Sequence, residues 1–291
     1  MPSVAKYFTV IAALLICVLS TIALAINDFI YQFPGNNYFP PGMPIIATTL
    51  LLLWVGYSLQ FGKDSAYAQI IREIIYFFMV VSVIALATNA IQFTPFPPID
   101  KQLIQIETLF HLDLNATLAW TASFPWLKTI LSLAYDSLTY QMVYLPLLVI
   151  FTRRIRYVRE YYALFLLSAL IGFSFYYFLP TMGPASFIDS AYFSQQQYDT
   201  GIKFREIHHH LAPSTLDGGM IAMPSFHAIW AWLCLYLSRC LPIVFIVLLP
   251  INLLLIASCV LIGWHYPIDL FGSLIVLLLT HGIYFYFVKN R

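Results

Sequence analysis

Charge is what this 291-residue sequence has least of. Asp, Glu, Lys and Arg make up 9% of it, against about 25% in an ordinary soluble domain. Hydrophobic residues make up 61%, more than a soluble chain of this size could enclose, so the composition reads as an integral membrane protein. The formal charge is only +1. That leaves no basic footprint for a nucleic acid, and no such partner is expected. Cysteine is scarce as well: Cys17, Cys234, Cys240 and Cys259 lie in or beside apolar runs, with no CxxC or paired spacing. They read as small core residues rather than a disulfide frame or a metal site. Internal repeats and low-complexity segments are also missing.

What is present is a succession of long apolar runs. Crossing the hydrocarbon layer takes roughly 20 apolar residues, and on that criterion there are about eight candidate spans. They cover 7–27, 44–61, 73–93, 130–152, 160–179, 223–240, 242–264 and 268–288. The first is too long for a signal peptide and lacks its small-residue cleavage site, so a retained helix is expected. Between 94 and 129 the pattern weakens. FTPFPPID is a proline-rich turn, and 101–115 alternates charge with Leu, Ile and Phe, which predicts an amphipathic helix along the interface. The longest polar segment, 181–222, holds Gln195–Gln197, Lys203, Arg205, three successive histidines and Gly218-Gly219. The expected fold class is an all-α, polytopic membrane bundle.

Orientation follows from the basic residues. With the N-terminus inside, the inner loops receive Lys6, Lys63, Arg72, Arg153, Arg154, Arg156, Arg159, Arg239, Lys289 and Arg291. The outer side receives only Lys101, Lys128, Lys203 and Arg205. This topology places His208–His210, His227 and His265 at one membrane face. It also puts the sequon Asn115-Ala116-Thr117 outside, although such triplets are common by chance.

His227 and His265 carry the chemical interest. His265 and Asp269 are four apart, so on a helix they share a face, and the aspartate can fix the imidazole's tautomer while its other nitrogen stays free. Pro267 suits a first helical turn. Pro224-Ser225 before His227 likewise reads as a helix start, with Ser225 as N-cap and unpaired N–H groups that favour an anion. Two histidines at one such end suit phosphoryl transfer, one attacking phosphorus and the other protonating the leaving oxygen. The competing readings are a headgroup-layer histidine at 227 and a purely structural His265–Asp269 pair. His208–His210, with no further carboxylate or cysteine pattern, read as a solvated loop, so no metal or cofactor is expected.

PSFH at 224–227 and HYPID at 265–269 resemble the second and third signature motifs of the type 2 phosphatidic acid phosphatase (PAP2) superfamily. The resemblance runs over roughly 100–288. It implies a six-helix catalytic core within 100–291, with residues 1–99 as added transmembrane helices. It also implies His265 as nucleophile, Asp269 as its orienting partner and His227 as general acid. Substrate would be bound by Pro224, Ser225, Phe226 and neighbouring backbone amides. The family's third motif usually carries an arginine six residues before the nucleophilic histidine, where this sequence has Cys259. The lysine- and arginine-rich first motif has no clear match either. PTMGPA at 180–185 is similar to the proline-rich version in inositol phosphorylceramide synthase-like members, again without its arginine.

A phosphate monoester carries nearly two negative charges at neutral pH, and arginine is the usual way to hold it. A diester carries one. The missing cations therefore point to a diester, as in sphingomyelin synthase-like head-group transferases, unless Lys203 and Arg205 fold back to replace them. The reading is a membrane enzyme acting on a lipid phosphate ester at the outer face, with water, an alcohol or a lipid as acceptor. Short loops and the lack of large appended domains favour a bacterial inner membrane with the site on the periplasmic side, with a eukaryotic endomembrane as the alternative. A non-catalytic lipid-binding scaffold of the same fold, or a transporter, are the alternatives.

Overall fold

Inside a bilayer no water is available to satisfy backbone N–H and C=O groups, so a crossing segment must pair them internally, which a helix does. The computed structural model describes residues 2–33, 35–216 and 218–289, and over these the chain is all-helical, with no strand. Arg291 and the side chain of Lys289, both counted among the inner cations, lie outside the described residues. The α-helices are α1 (Pro2–Ile26), α2 (Met43–Phe61), α3 (Ala66–Ala90), α4 (Asp100–Leu109), α5 (Leu114–Ala122), α6 (Pro125–Phe151), α7 (Ile155–Phe178), α8 (Gln195–His208), α9 (Phe226–Ser238), α10 (Pro242–Leu261) and α11 (Pro267–Lys289).

Among the described residues seven helices are long and apolar enough to cross: α1 with its π-helical extension to Tyr31, α2, α3, α6, α7, α10 and α11. The eighth expected span, 223–240, is the 13-residue α9. Shorter than a lipid-facing span, it is surrounded by α6, α7, α10 and α11 and runs from the end that holds His227 to the end that holds Arg239. Its Phe226, Ile229, Leu233 and Leu237 are buried at the centre of the main core.

Side-chain contacts fix which helix ends meet. At one end Arg159 of α7 pairs with Glu73 of α3, and Arg239 after α9 pairs with Glu160 of α7 at 2.6 Å. At the other end Asn27 Nδ2 donates to Ala90 O at 3.0 Å, and Ile99 N–H donates to Pro180 O at 2.9 Å. The first end carries the predicted inner cations and the second carries His227 and His265. Helix α1 packs between α3 and α7, and its Ala12 and Ile16 join the main core. Helix α2 leans on α3 and has no buried residue, the pattern of a lipid-facing helix.

Two expectations change. The single amphipathic helix over 101–115 is two helices, broken where His111 adopts φ 56°. Their acidic residues do not face water: Asp100 and Glu107 are buried, accepting backbone N–H groups at the end of the bundle that carries the two histidines. The polar segment 181–222 is not one loop. It contains α8, whose start is fixed by a capping box between Ser194 and Gln197.

Gly172 lets α9 approach α7. A Cβ there would lie 2.6 Å from Phe226 Cζ, a ring already packed against Phe173 and Trp230. Alanine would gain about 1 kcal/mol of helix propensity, against about 1–3 kcal/mol for overpacking. We expect Gly172→Ala to lower the unfolding temperature in detergent; an unchanged or raised value would mean that Phe226 has room to move.

Candidate active site

The turn between α10 and α11 delivers the first histidine. Gly263 sits at φ +85°, and a Cβ there would meet Leu118 and Phe193 at 2.8 Å, so both backbone and space require glycine. The turn closes with His265 N–H donating to Cys259 O at 2.9 Å. The His265 ring is then held from one side: Nδ1 lies 2.8 Å from Ala222 O and 3.4 Å from Asp269 Oδ2. That carboxylate oxygen also accepts Tyr266 N–H at 2.9 Å. A proton on Nδ1 satisfies the carbonyl and the carboxylate together, which leaves Nε2 as the unprotonated, nucleophilic nitrogen.

The second histidine arrives on the first turn of α9. Ser225 is the N-cap, its Oγ accepting Ala228 N–H at 3.3 Å, as the sequence predicts. His227 faces His265 with ring centres 6.0 Å apart. Its other face stacks on Tyr135 of α6 at 4.1 Å, and Tyr135 stacks in turn on Trp264 at 5.6 Å. Tyr135 Oη lies 3.2 Å from His227 Nδ1, so the tyrosine fixes the ring by stacking and by hydrogen bond. The two imidazoles line one cleft of about 430 Å³ with Tyr135, Met182–Ala185, Gln197, Thr200, Phe204, Ile221, Ala222 and Trp264. Apart from the histidines, no ionisable group other than the Tyr135 phenol lines it among the described residues.

Behind the cleft, α4 braces two of its walls. Asp100 accepts Met182 N–H at 2.8 Å and Gly183 N–H at 2.9 Å, fixing the PTMGPA segment. Thr181 Oγ1 accepts Met223 N–H at 2.8 Å and ties that segment to the start of α9. Glu107 Oε1 accepts Ile268 N–H at 3.1 Å at the first turn of α11, a favourable place for a carboxylate. Burial pushes both carboxyls up to about 7, and the neighbouring Asp269 adds to the rise. The Tyr266 phenol is raised by burial and by Asp100, Asp269 and Glu107 around it.

Of the residues singled out in the sequence, His227, His265 and Asp269 come together. Ser225 is fully buried and points away from the cleft, donating to Cys259 Sγ at 3.7 Å. Pro224 and Phe226 pack against Gly172 in the core. Neither Lys203 nor Arg205 lines the cleft. Lys203 is fully buried with Nζ 3.3 Å from Gly218 O, and Arg205 Nη1 lies 3.3 Å from Ser186 O. Cys259, at the position of the missing arginine, is fully buried beneath Ser225. His209 and His210 are exposed in the turn after α8, with the His210 ring edge-on to Phe93 and Tyr31. No group of three or more metal-ligating side chains occurs among the described residues.

The sequence profile of the PAP2 superfamily matches residues 101–283. The chain belongs to that superfamily. No curated protein matches it, and no solved structure does. The matched span contains every residue of the cleft, together with Asp100's partners and Glu107. Sequence reasoning missed Tyr135, Asp100 and Glu107. Tyr135 is one of 20 tyrosines and carries no motif, and the α4 acids resemble the polar face of an interfacial helix.

The raised carboxyls give a pH dependence to this PAP2 protein. In the folded chain Asp100 and Glu107 keep their protons over a range in which the unfolded chain has lost them. Folded stability therefore falls as pH rises from about 4 to about 7. Unfolding temperatures in detergent at about pH 5 and pH 8 should differ in favour of acid for the wild type. An Asp100→Asn/Glu107→Gln protein should lose most of that difference. A double variant with the wild-type pH profile would contradict the assignment.

Proposed function

We propose that the protein cleaves or transfers a lipid phosphate ester at the outer membrane face, through a phosphohistidine on His265. The observation that carries the reading is the pair of imidazoles facing each other across a cleft, with His265 Nδ1 already occupied. His265 Nε2 gives its lone pair to phosphorus as the bond to the leaving alkoxide breaks, and His227 supplies the proton to that oxygen. In the second half His227 takes a proton from water, or from an alcohol or lipid acceptor. The oxygen so freed attacks phosphorus, and the P–N bond breaks. Asp269 holds the imidazole that becomes positively charged. Phosphate oxygens rest on the unpaired N–H groups at the start of α9, while Pro224, Ser225 and Phe226 shape that turn from behind.

The cleft's lining favours a phosphodiester. Without a lysine or arginine to balance a second charge, the single negative charge of a diester is the better match. Met182, Pro184, Phe204, Ile221 and Trp264 offer apolar surface to the rest of the lipid. Head-group transfer in the style of the inositol phosphorylceramide and sphingomyelin synthases fits this better than monoester hydrolysis. On this reading 100–291 is the catalytic domain, 1–99 adds transmembrane helices, and the cleft opens to the periplasmic side of a bacterial inner membrane.

His265→Ala is expected to abolish turnover and intermediate. His227→Ala should lose about 10²–10⁴-fold with the natural lipid and much less with a good leaving group. Tyr135→Phe removes one hydrogen bond and should cost about two- to tenfold. Kinetics on paired monoester and diester lipids check all three, with the diester turned over faster. Wild-type rates in both histidine variants would make the histidines structural, absence of turnover by the wild type would leave a catalytically silent scaffold, and a wide preference for the monoester would refute the diester assignment alone.

A further inference from the structure

Far from the cleft, α1, α3 and α7 enclose a groove of about 1070 Å³. Its mouth carries three cations: Lys6, Arg72 and Arg159. All three lie within the first two turns of their helices, so they stand near one depth, at the inner end of the bundle. Arg159 is neutralised by Glu73. Arg72 is half-buried, and its Nε is enclosed without a hydrogen-bond partner. Deeper, the walls are apolar, formed by Val10, Ala13, Met79, Val80, Val83 and Leu166. Val10 and Met79 are about half exposed, so the groove opens sideways to the bilayer.

A buried guanidinium donor with no acceptor is costly, and an anion at the mouth would remove that cost. The apolar trough beneath it, open to the bilayer, suits an acyl chain, so an amphiphile fills both parts of the groove where a free inorganic anion fills only the mouth. The same three helices enclose a second cavity of about 750 Å³ towards the outer end, and that one is lined by no Lys, Arg, Asp or Glu. Cations are therefore confined to the half of the groove that meets the inner leaflet, where anionic lipids are concentrated.

We propose that this groove binds an anionic phospholipid of the inner leaflet, its phosphate on Lys6 and Arg72 and one acyl chain along the α1–α3–α7 trough. The site is separate from the histidine cleft and does not depend on the reaction assigned there. Full-length protein in neutral detergent is titrated with phosphatidylglycerol and with phosphatidylcholine, and bound lipid is counted by native mass spectrometry. Wild type should prefer phosphatidylglycerol by about tenfold, the size of one charged contact. Lys6→Gln/Arg72→Gln should erase that preference, and Arg72→Lys should retain part of it. Val10→Trp, a change at a half-exposed wall, should weaken both lipids by filling the trough. Glycerol phosphate should not compete, whereas competition would assign the mouth to a free anion. Equal binding of the two lipids to wild type, or an undiminished preference in the double variant, would overturn the proposal. Should the double variant not fold, an undiminished phosphatidylglycerol affinity in Val10→Trp would overturn it equally.

Discussion

The arrangement depends on one hydrogen bond, from His265 Nδ1 to the carbonyl of Ala222. It joins the turn before α11 to the strap before α9, the two segments that carry the histidines. It also decides the tautomer, because a proton committed to Nδ1 leaves Nε2 as the basic nitrogen. Asp269 reinforces the choice one helical turn away, and its second oxygen is buried without a partner. A fully buried carboxylate is costly unless paired, so the nearby imidazole stabilises the acid as much as the acid orients the imidazole.

Around that bond the remaining elements act as braces. Asp100 and Glu107 take backbone N–H groups of the PTMGPA segment and of α11, Gln197 Nε2 donates to Ile262 O, and Tyr135 holds His227. Most of these contacts run from a side chain on one helix to backbone on another. A membrane bundle has little hydrophobic drive between its helices, because lipid tails are as apolar as leucine. Packing and hydrogen bonds must set the geometry, and the end that carries the histidines is where these braces gather.

Much of this was legible in the sequence. Length and hydropathy are local, and they placed α2, α10 and α11 to within a few residues, along with a helix start capped by Ser225. His265 and Asp269 do meet as the sequence suggested, though not on one helical face: His265 precedes α11, and the turn at Gly263 brings its ring to Asp269 in the first turn of that helix. What could not be read locally was tertiary. Asp100 meets Met182 across 82 positions and Tyr135 meets His227 across 92. Charge on α4 therefore suggested water where the structure supplies backbone donors. Lys203 and Arg205 suggested phosphate for the same reason, yet both side chains reach backbone carbonyls outside the cleft.

The central claim is that His265, through Nε2, becomes covalently attached to phosphorus. The direct measurement is to quench the purified protein during turnover of a lipid carrying a labelled phosphate, and to map the label by mass spectrometry and phosphorus NMR. The account predicts an acid-labile, alkali-stable phosphohistidine at His265, substituted on Nε2 and absent from His265→Ala. A label on His227, on Nδ1 of His265, or turnover with no phosphorylated histidine would contradict it.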